Sequence, residues 1–336
     1  MRCLFAILIA IIASVPVAAA PQAKIEFTSR ETVLAWIYRY RVKPEPARLP
    51  AAVRMLSQTG ALREPESSGV YVGFIAGVLG SNPAKAEELI AKMLPLPAED
   101  QWALVRAIAY SCLPEWKALL AKFADRMPTR KVMIDRYIEG KLPTINHVAG
   151  EKKFSLAEKL RIKSAPKEVA LDPTPELLDT VWGYYFATGG YSPIARIISM
   201  LPWSKDRDSV DKLTLGNMAK YTLASNASRD SELLTMLKRA AKHQPEKVAP
   251  ILKEVIDAAE TVDTTRLRSE ALAAIEDLKR KGPGYKRDVS FWGQVGQGAV
   301  ALGCIVAAAT GHIELGIPCV VGGAASSAAL TVWSSQ

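Results

Sequence analysis

Histidine and cysteine are scarce in this chain, at three and four of 336 residues. His147, His243 and His312 stand far apart, none belongs to an HExxH arrangement, and the cysteines lack paired zinc-ligand spacing. So few cysteines also exclude a disulfide-dense mini-protein. Gly and Pro, at 21 each, are too few for a collagen-like repeat, and a composition that is 49% hydrophobic excludes a disordered polymer. Gly-x-Ser-x-Gly, a phosphate-cradling Gly-rich loop with its Lys, and a dinucleotide fingerprint are all missing. No catalytic residue, metal ligand or cofactor-binding residue is therefore assigned, and no cofactor is expected. Carboxylates mostly stand at helical spacing beside Lys or Arg, as Glu87-Glu88 do with Lys92, which is the pattern of a solvated helix face.

What is present is divided unevenly along the chain. Lys and Arg number 43 against 34 Asp and Glu, a formal +9, while mean hydropathy is +0.07. Basic and apolar residues are thus segregated, and the length allows about two domains. At the amino end one positive charge, Arg2, precedes the apolar run Cys3 to Ala13 and the small residues Ala18-Ala19-Ala20. This is the grammar of a secretory signal peptide over residues 1–19, and it predicts export to the periplasm or cell envelope. No Cys stands at the cleavage point, which argues against a lipoprotein.

From Thr28 to Lys279 the pattern predicts an all-α body of short helices. Thr28 with Glu31 reads as a capping box before Val33 to Tyr38. A helix is expected from Pro50 to Gly60, another from Val70 to Gly80, and Asn82-Pro83 reads as the cap and first position of a third. Pro95, Pro97, Pro114 and Pro128 then separate apolar-periodic stretches, because proline lacks an N–H and excludes its predecessor from α geometry. The later half predicts helices over 175–187, 193–200, 210–224, 231–242, 247–259 and 264–281.

Landmarks recur between the halves. Gly73 to Gly77, Gly80 to Pro83 and Met93-Leu94-Pro95 are echoed by Gly183 to Ala187, Gly190 to Pro193 and Met200-Leu201-Pro202. Tyr110 and Tyr221, each placed near the end of the next helix, continue the correspondence. Two stacked, helical-repeat-like halves are expected, 28–140 and 176–281, since each helix pair needs a neighbour to bury its remaining apolar face. Between them, residues 141–175 read as an irregular basic connection holding one short helix, with Lys152, Lys153, Lys159, Arg161 and Lys163 outnumbering Glu151 and Glu158.

The run Trp182-Gly183-Tyr184-Tyr185-Phe186-Ala187-Thr188-Gly189, followed by Leu201-Pro202-Trp203 and Ser225-Asn226-Ala227, resembles secreted proteobacterial α-helical proteins of unknown function. The resemblance covers residues 175–240 and implies an exported helical protein, with aromatics facing a core and Gly189-Gly190 ending a helix. It carries no catalytic residue to this chain.

The carboxy end is the most unusual part. From Val289 to Gln336 the only charged side chain is Glu314, which divides two apolar, Gly- and Ala-rich runs of membrane-spanning length, each with a Trp (Trp292, Trp333) at its outer end. The glycines would let two helices pack closely, so 289–336 is expected to form an apolar helical hairpin contacting a membrane. A hairpin buried in the helical body or at an oligomer interface, or a flexible tail, are the alternatives. Lys279, Arg280, Lys281, Lys286 and Arg287 form a basic collar directly before it, suited to anionic headgroups. Cys304 and Cys319 lie close enough in sequence to bridge, or remain as two buried thiols. The functional expectation is an envelope-associated, non-catalytic protein that makes protein or surface contacts. Its protein partner is unspecified, and no nucleic-acid recognition motif is present. The alternatives are an exported enzyme with a site between the halves, near Tyr184, Tyr185, Tyr191 and His147, and a secreted protein that inserts its hairpin into a foreign bilayer.

Overall fold

Proline and glycine divide the chain into helices too short to be stable alone, so their packing decides the structure. The computed structural model describes residues 27–145 and 174–261, with residue 273 alone beyond them. The chain is all-α, with twelve α-helices and no strand among the described residues. The first seven are α1 (Arg30–Tyr40), α2 (Leu49–Gln58), α3 (Gly69–Ser81), α4 (Pro83–Met93), α5 (Gln101–Tyr110), α6 (Trp116–Phe123) and α7 (Lys131–Ile138). After the connection come α8 (Pro175–Thr188), α9 (Tyr191–Met200), α10 (Val210–Ala227), α11 (Ser231–Ala241) and α12 (Ala249–Glu260). Residues 1–19, most of the 141–175 connection, the expected helix over 264–281 apart from residue 273, and the 289–336 segment lie outside the described residues. With them go His147, His312, Lys279, Arg280, Lys281, Lys286, Arg287, Cys304 and Cys319.

The centre of the molecule is the pairing of α3 with α8. Every residue of α3 from Gly69 to Leu79 is buried, so this helix has no solvent face. Its glycines recur every four residues, at Gly69, Gly73 and Gly77, and form a stripe without side chains along which α8 lies in parallel. A Cβ on Gly73 would sit 1.9 Å from the Thr180 carbonyl oxygen, and one on Gly69 would sit 2.5 Å from that of Glu176. One on Gly77 would meet the Ala187 methyl at 2.6 Å. From the other side, a Cβ on Gly183 would lie 2.1 Å from the Val70 carbonyl oxygen. The two central contacts mirror each other, since 110 residues separate Gly73 from Gly183 and also Val70 from Thr180. Each interior glycine costs about 1 kcal/mol of helix propensity relative to alanine, and only backbone-to-backbone packing of this kind offsets it.

The other helices dress this pair. α1 buries Val33, Leu34, Trp36, Ile37 and Tyr40, a stripe at helical spacing. Trp36 and Tyr40 meet Phe74 of α3 edge-on at 5.1 and 5.0 Å between ring centroids, and Tyr38 meets Phe186 of α8 at 5.7 Å. α1 therefore bridges both central helices. α5 packs on α3, and α6 and α7 pack on α5. On the far side α9 and α10 follow α8, with α11 and α12 outside them. α10 is buried from Leu213 to Ala227 although six of those fifteen residues are polar. Most of its polar groups bond locally or to neighbours: Asn217 and Asn226 donate to the carbonyls four residues back, the Trp182 indole donates to the Thr222 hydroxyl at 3.0 Å, and Lys220 pairs with Glu254 of α12 at 2.6 Å. Thr214 Oγ1 and Asn226 Oδ1, in contrast, are buried without a partner among the described residues.

Several helix ends differ from expectation. The capping box of α1 is built one residue later than Thr28 and Glu31: the Ser29 hydroxyl accepts from the Thr32 N–H, and the Thr32 hydroxyl oxygen accepts from the Ser29 N–H. The same Ser29 side chain holds the Glu31 carboxyl below its ordinary value. Gly80 does not stop α3, which continues to Ser81. Its lack of a Cβ instead admits the Ser111 carbonyl, which a Cβ would meet at 2.1 Å. Asn82 precedes Pro83 as expected, but its amide donates back to the Val78 carbonyl and caps nothing in α4. Tyr110 ends α5, whereas Tyr221 lies inside α10, which runs on to Ala227. Gly189 does end α8, with φ +65° and its N–H bonded to the Tyr185 carbonyl.

Gly73→Ala should lower stability by about 3 kcal/mol or more despite alanine's better helix propensity, because the clash is with backbone that cannot rotate away. Gly190→Ala, where the nearest atom is 3.5 Å from the new Cβ and φ is ordinary, should stay within about 1 kcal/mol. Urea denaturation midpoints of the two variants check the contrast.

Candidate functional site

Four arrangements of polar side chains stand out among the described residues. The first begins at Arg41, just past the end of α1. Its guanidinium bonds the carboxylates of Asp230 and Glu232 and lies 5.5 Å from the Tyr185 ring centroid. Asp230 is the N-cap of α11 and accepts from the N–H groups of Glu232 and Leu233 through Oδ1, and from the Tyr185 hydroxyl at 3.2 Å through Oδ2. One nearly buried carboxylate thus joins α1, α8 and α11 with charge-assisted bonds. Glu232 is 76% exposed, so its share of the network is small. Burial raises the pKa of the Tyr185 phenol, and the Asp230 charge adds to the effect.

The second lies where α5, α7 and α8 meet. Arg106 pairs with Glu176 in the first turn of α8, and its guanidinium stands 4.9 Å from the Trp102 ring centroid. Tyr110 and Tyr137 meet edge-on beside it at 6.4 Å. Burial lifts the Glu176 carboxyl above its ordinary value by more than Arg106 pulls it down, while that carboxylate, against the opposing effect of burial, holds the guanidinium protonated. Burial also raises both tyrosines. The cluster ties the start of α8 to α5 through one guanidinium nitrogen, while the buried Nε of Arg106 has no hydrogen-bond partner among the described residues.

The third is Cys112, in the left-handed region at φ +60°, beside the Tyr184 hydroxyl. Burial raises the pKa of its thiol, which disfavours the nucleophilic thiolate.

The fourth is open. A groove of about 900 Å³ runs along the outer face of α11, and Tyr191 at the start of α9 forms its wall. Glu232, Met236, Arg239 and His243 recur at helical spacing along it, and Ala240 forms part of its floor. Tyr191 is 47% exposed, one of three large hydrophobic side chains left in solvent among the described residues.

The three tyrosines that the alternative of an exported enzyme would gather near one cleft are therefore divided. Tyr184 faces Cys112, Tyr185 braces Asp230, and Tyr191 walls the outer groove. Cys112 is a free thiol. No group of three or more His, Cys, Asp and Glu side chains suited to a metal occurs among the described residues. Sequence reasoning missed Arg41, Asp230, Arg106 and Glu176. Nothing in their local patterns signals partners 189 and 70 positions away. His243 entered only as an isolated histidine, and its place beside the groove, two residues past the end of α11, follows once that helix is docked. Fold and clusters together define an all-α helical protein whose buried charges act as braces. No protein-family model matches this chain, and no curated protein or solved structure matches it.

Asp230→Ala removes both the cap and the Arg41 bond and should cost about 2 to 3 kcal/mol. Asp230→Asn keeps a good cap and should lose about 1 kcal/mol, measured by thermal or urea unfolding. Cys112 should alkylate with iodoacetamide at pH 7.5 at least about tenfold more slowly than a free cysteine, read by peptide mapping of the native protein.

Proposed function

We propose that this is an exported, envelope-associated binding protein without catalytic chemistry of its own. The observation that carries this reading is the division of its polar groups. The ionic clusters of the described core pair with one another across helices and hold them together, whereas the open groove along α11 presents Tyr191, Met236 and Arg239 outward. Such a surface suits contact with a partner better than turnover, since the Ser57 hydroxyl that donates to the Asp100 carboxylate is buried together with it and the Cys112 thiol is disfavoured as a thiolate. The mirrored contacts of Gly73 and Gly183 support a body made of two repeat-like halves, 28–140 and 176–281, meeting at α3 and α8.

Export rests on the apolar run of residues 3–13 and the small residues after it. Attachment rests on the charge-poor 289–336 segment, with Lys279, Arg280, Lys281, Lys286 and Arg287 meeting anionic headgroups. Among the described residues no helix is long and apolar enough to cross a membrane, so on this reading attachment belongs to the carboxy end.

In cell fractionation the full chain should stay with membranes through alkaline carbonate extraction, and full release would sink the attachment. Replacing the five collar residues by Gln should weaken co-sedimentation with anionic vesicles at least about tenfold, given a contribution near 1 kcal/mol for each basic residue at such a surface. Leakage of vesicle contents on adding purified protein would favour the membrane-active alternative.

A further inference from the structure

Resting on the reading of the protein as a binding module, we propose that the α11 groove takes an extended peptide segment of a partner protein, one that carries an apolar anchor next to acidic residues. The groove has two unlike ends. Toward the start of α11 stands Glu232, whose carboxylate is already bonded to Arg41. Toward its end stand Arg239 and His243, with Lys242 adjacent and exposed. The cations of this last turn are not equivalent. Lys238 pairs with Glu260 of α12 and braces the helix, while the guanidinium of Arg239 has no carboxylate among the described residues and faces the groove. Thr235 spends its hydroxyl on the Ser231 carbonyl, so it offers little competing recognition.

Between these ends lies the apolar part. The half-buried Met236 and buried Ala240 form a floor, and the half-exposed Tyr191 ring stands over it. Met adapts to varied apolar side chains, and Tyr supplies a large contact area at small entropic cost. The volume of about 900 Å³ falls in the range that ligand grooves occupy. From Glu232 to Ala241 the helix extends roughly 14 Å and His243 stands two residues beyond its end, a length that an extended segment of about five residues would span. Charge complementarity fixes the occupant and its direction, with carboxylates at the Arg239 and His243 end, the apolar anchor against Tyr191 and Met236, and no acidic residue beside Glu232.

The test uses the full-length protein and two fluorescein-labelled pentapeptides, Ser-Leu-Phe-Asp-Asp and Ser-Leu-Phe-Lys-Lys, read by fluorescence anisotropy. The acidic peptide should bind saturably, at least about tenfold more tightly than the basic one, and should weaken as salt rises. Arg239→Gln should weaken the acidic peptide about fivefold or more while leaving the basic one unchanged, and Tyr191→Ala should weaken it to a similar extent. Both positions are exposed, so unchanged circular dichroism and melting temperature separate lost recognition from lost fold. Equal binding of the two peptides, no binding of either, or undiminished binding to Arg239→Gln overturns the proposal. If neither peptide binds while the protein still resists carbonate extraction, the docking surface falls and envelope attachment stands.

Discussion

The backbone contact between α3 and α8 is the constraint on which the rest of the structure depends. Two helices that approach closely enough for one carbonyl to occupy the space of the other's Cβ require glycine at those points, and Gly73 and Gly183 supply it from opposite sides. The approach also requires α3 to be apolar all round, since its remaining faces are covered by α4, α5 and the aromatic side chains of α1. Once the pair is set, the position of α1 follows. Its aromatic stripe reaches Phe74 on one central helix and Phe186 on the other, so a helix of ordinary amphipathic sequence becomes a clasp. Helices of 8 to 14 residues dominate the described chain and would be marginal alone. Their stability is borrowed from this centre.

The polar interior follows a second rule, that buried charge must be partnered. Asp230 serves three neighbours at once, and Arg106 meets both a carboxylate and an indole face. The same economy appears at the end of α4, where no left-handed glycine cap forms. There the last carbonyls are served by side chains from elsewhere: Arg54 donates to Lys92, and Arg126 donates to Ala91 and Leu94. A helix end tied by two arginines is also a joint, since those donors come from α2 and from the turn after α6. Arginine suits this work because its planar fork reaches more than one acceptor. The groove along α11 stands apart, since its guanidinium is left facing outward.

Much of the element order was legible in the sequence. Prolines at 50, 83 and 175 mark early helix positions, and Gly60 and Gly189 take positive φ where helices end. Local grammar failed where a residue had a distant use. Gly80 looked like a terminator because glycine usually is one, yet it lies within the last turn of α3 and makes room for the Ser111 carbonyl. Asn82 had the identity of a cap but turned its amide to the helix behind it. Of the candidate site, Tyr191 was visible as an aromatic beside a glycine pair, but its separation from Tyr184 and Tyr185 was not. Residues seven positions apart on neighbouring helices diverge according to how those helices are docked.

The sequence alone determined the all-α class, the main helix boundaries and the aromatic and glycine-rich stretches that would be buried, because these depend on propensity, periodicity and the stereochemistry of single residues. Tertiary structure decided which faces met. The parallel seating of α3 on α8, the Arg41 and Arg106 braces, the burial of a partly polar α10 and the open side of α11 all depend on contacts between residues far apart in the chain. Such contacts leave no local trace, because the free energy that selects them comes from surfaces that exist only after the helices have formed and met.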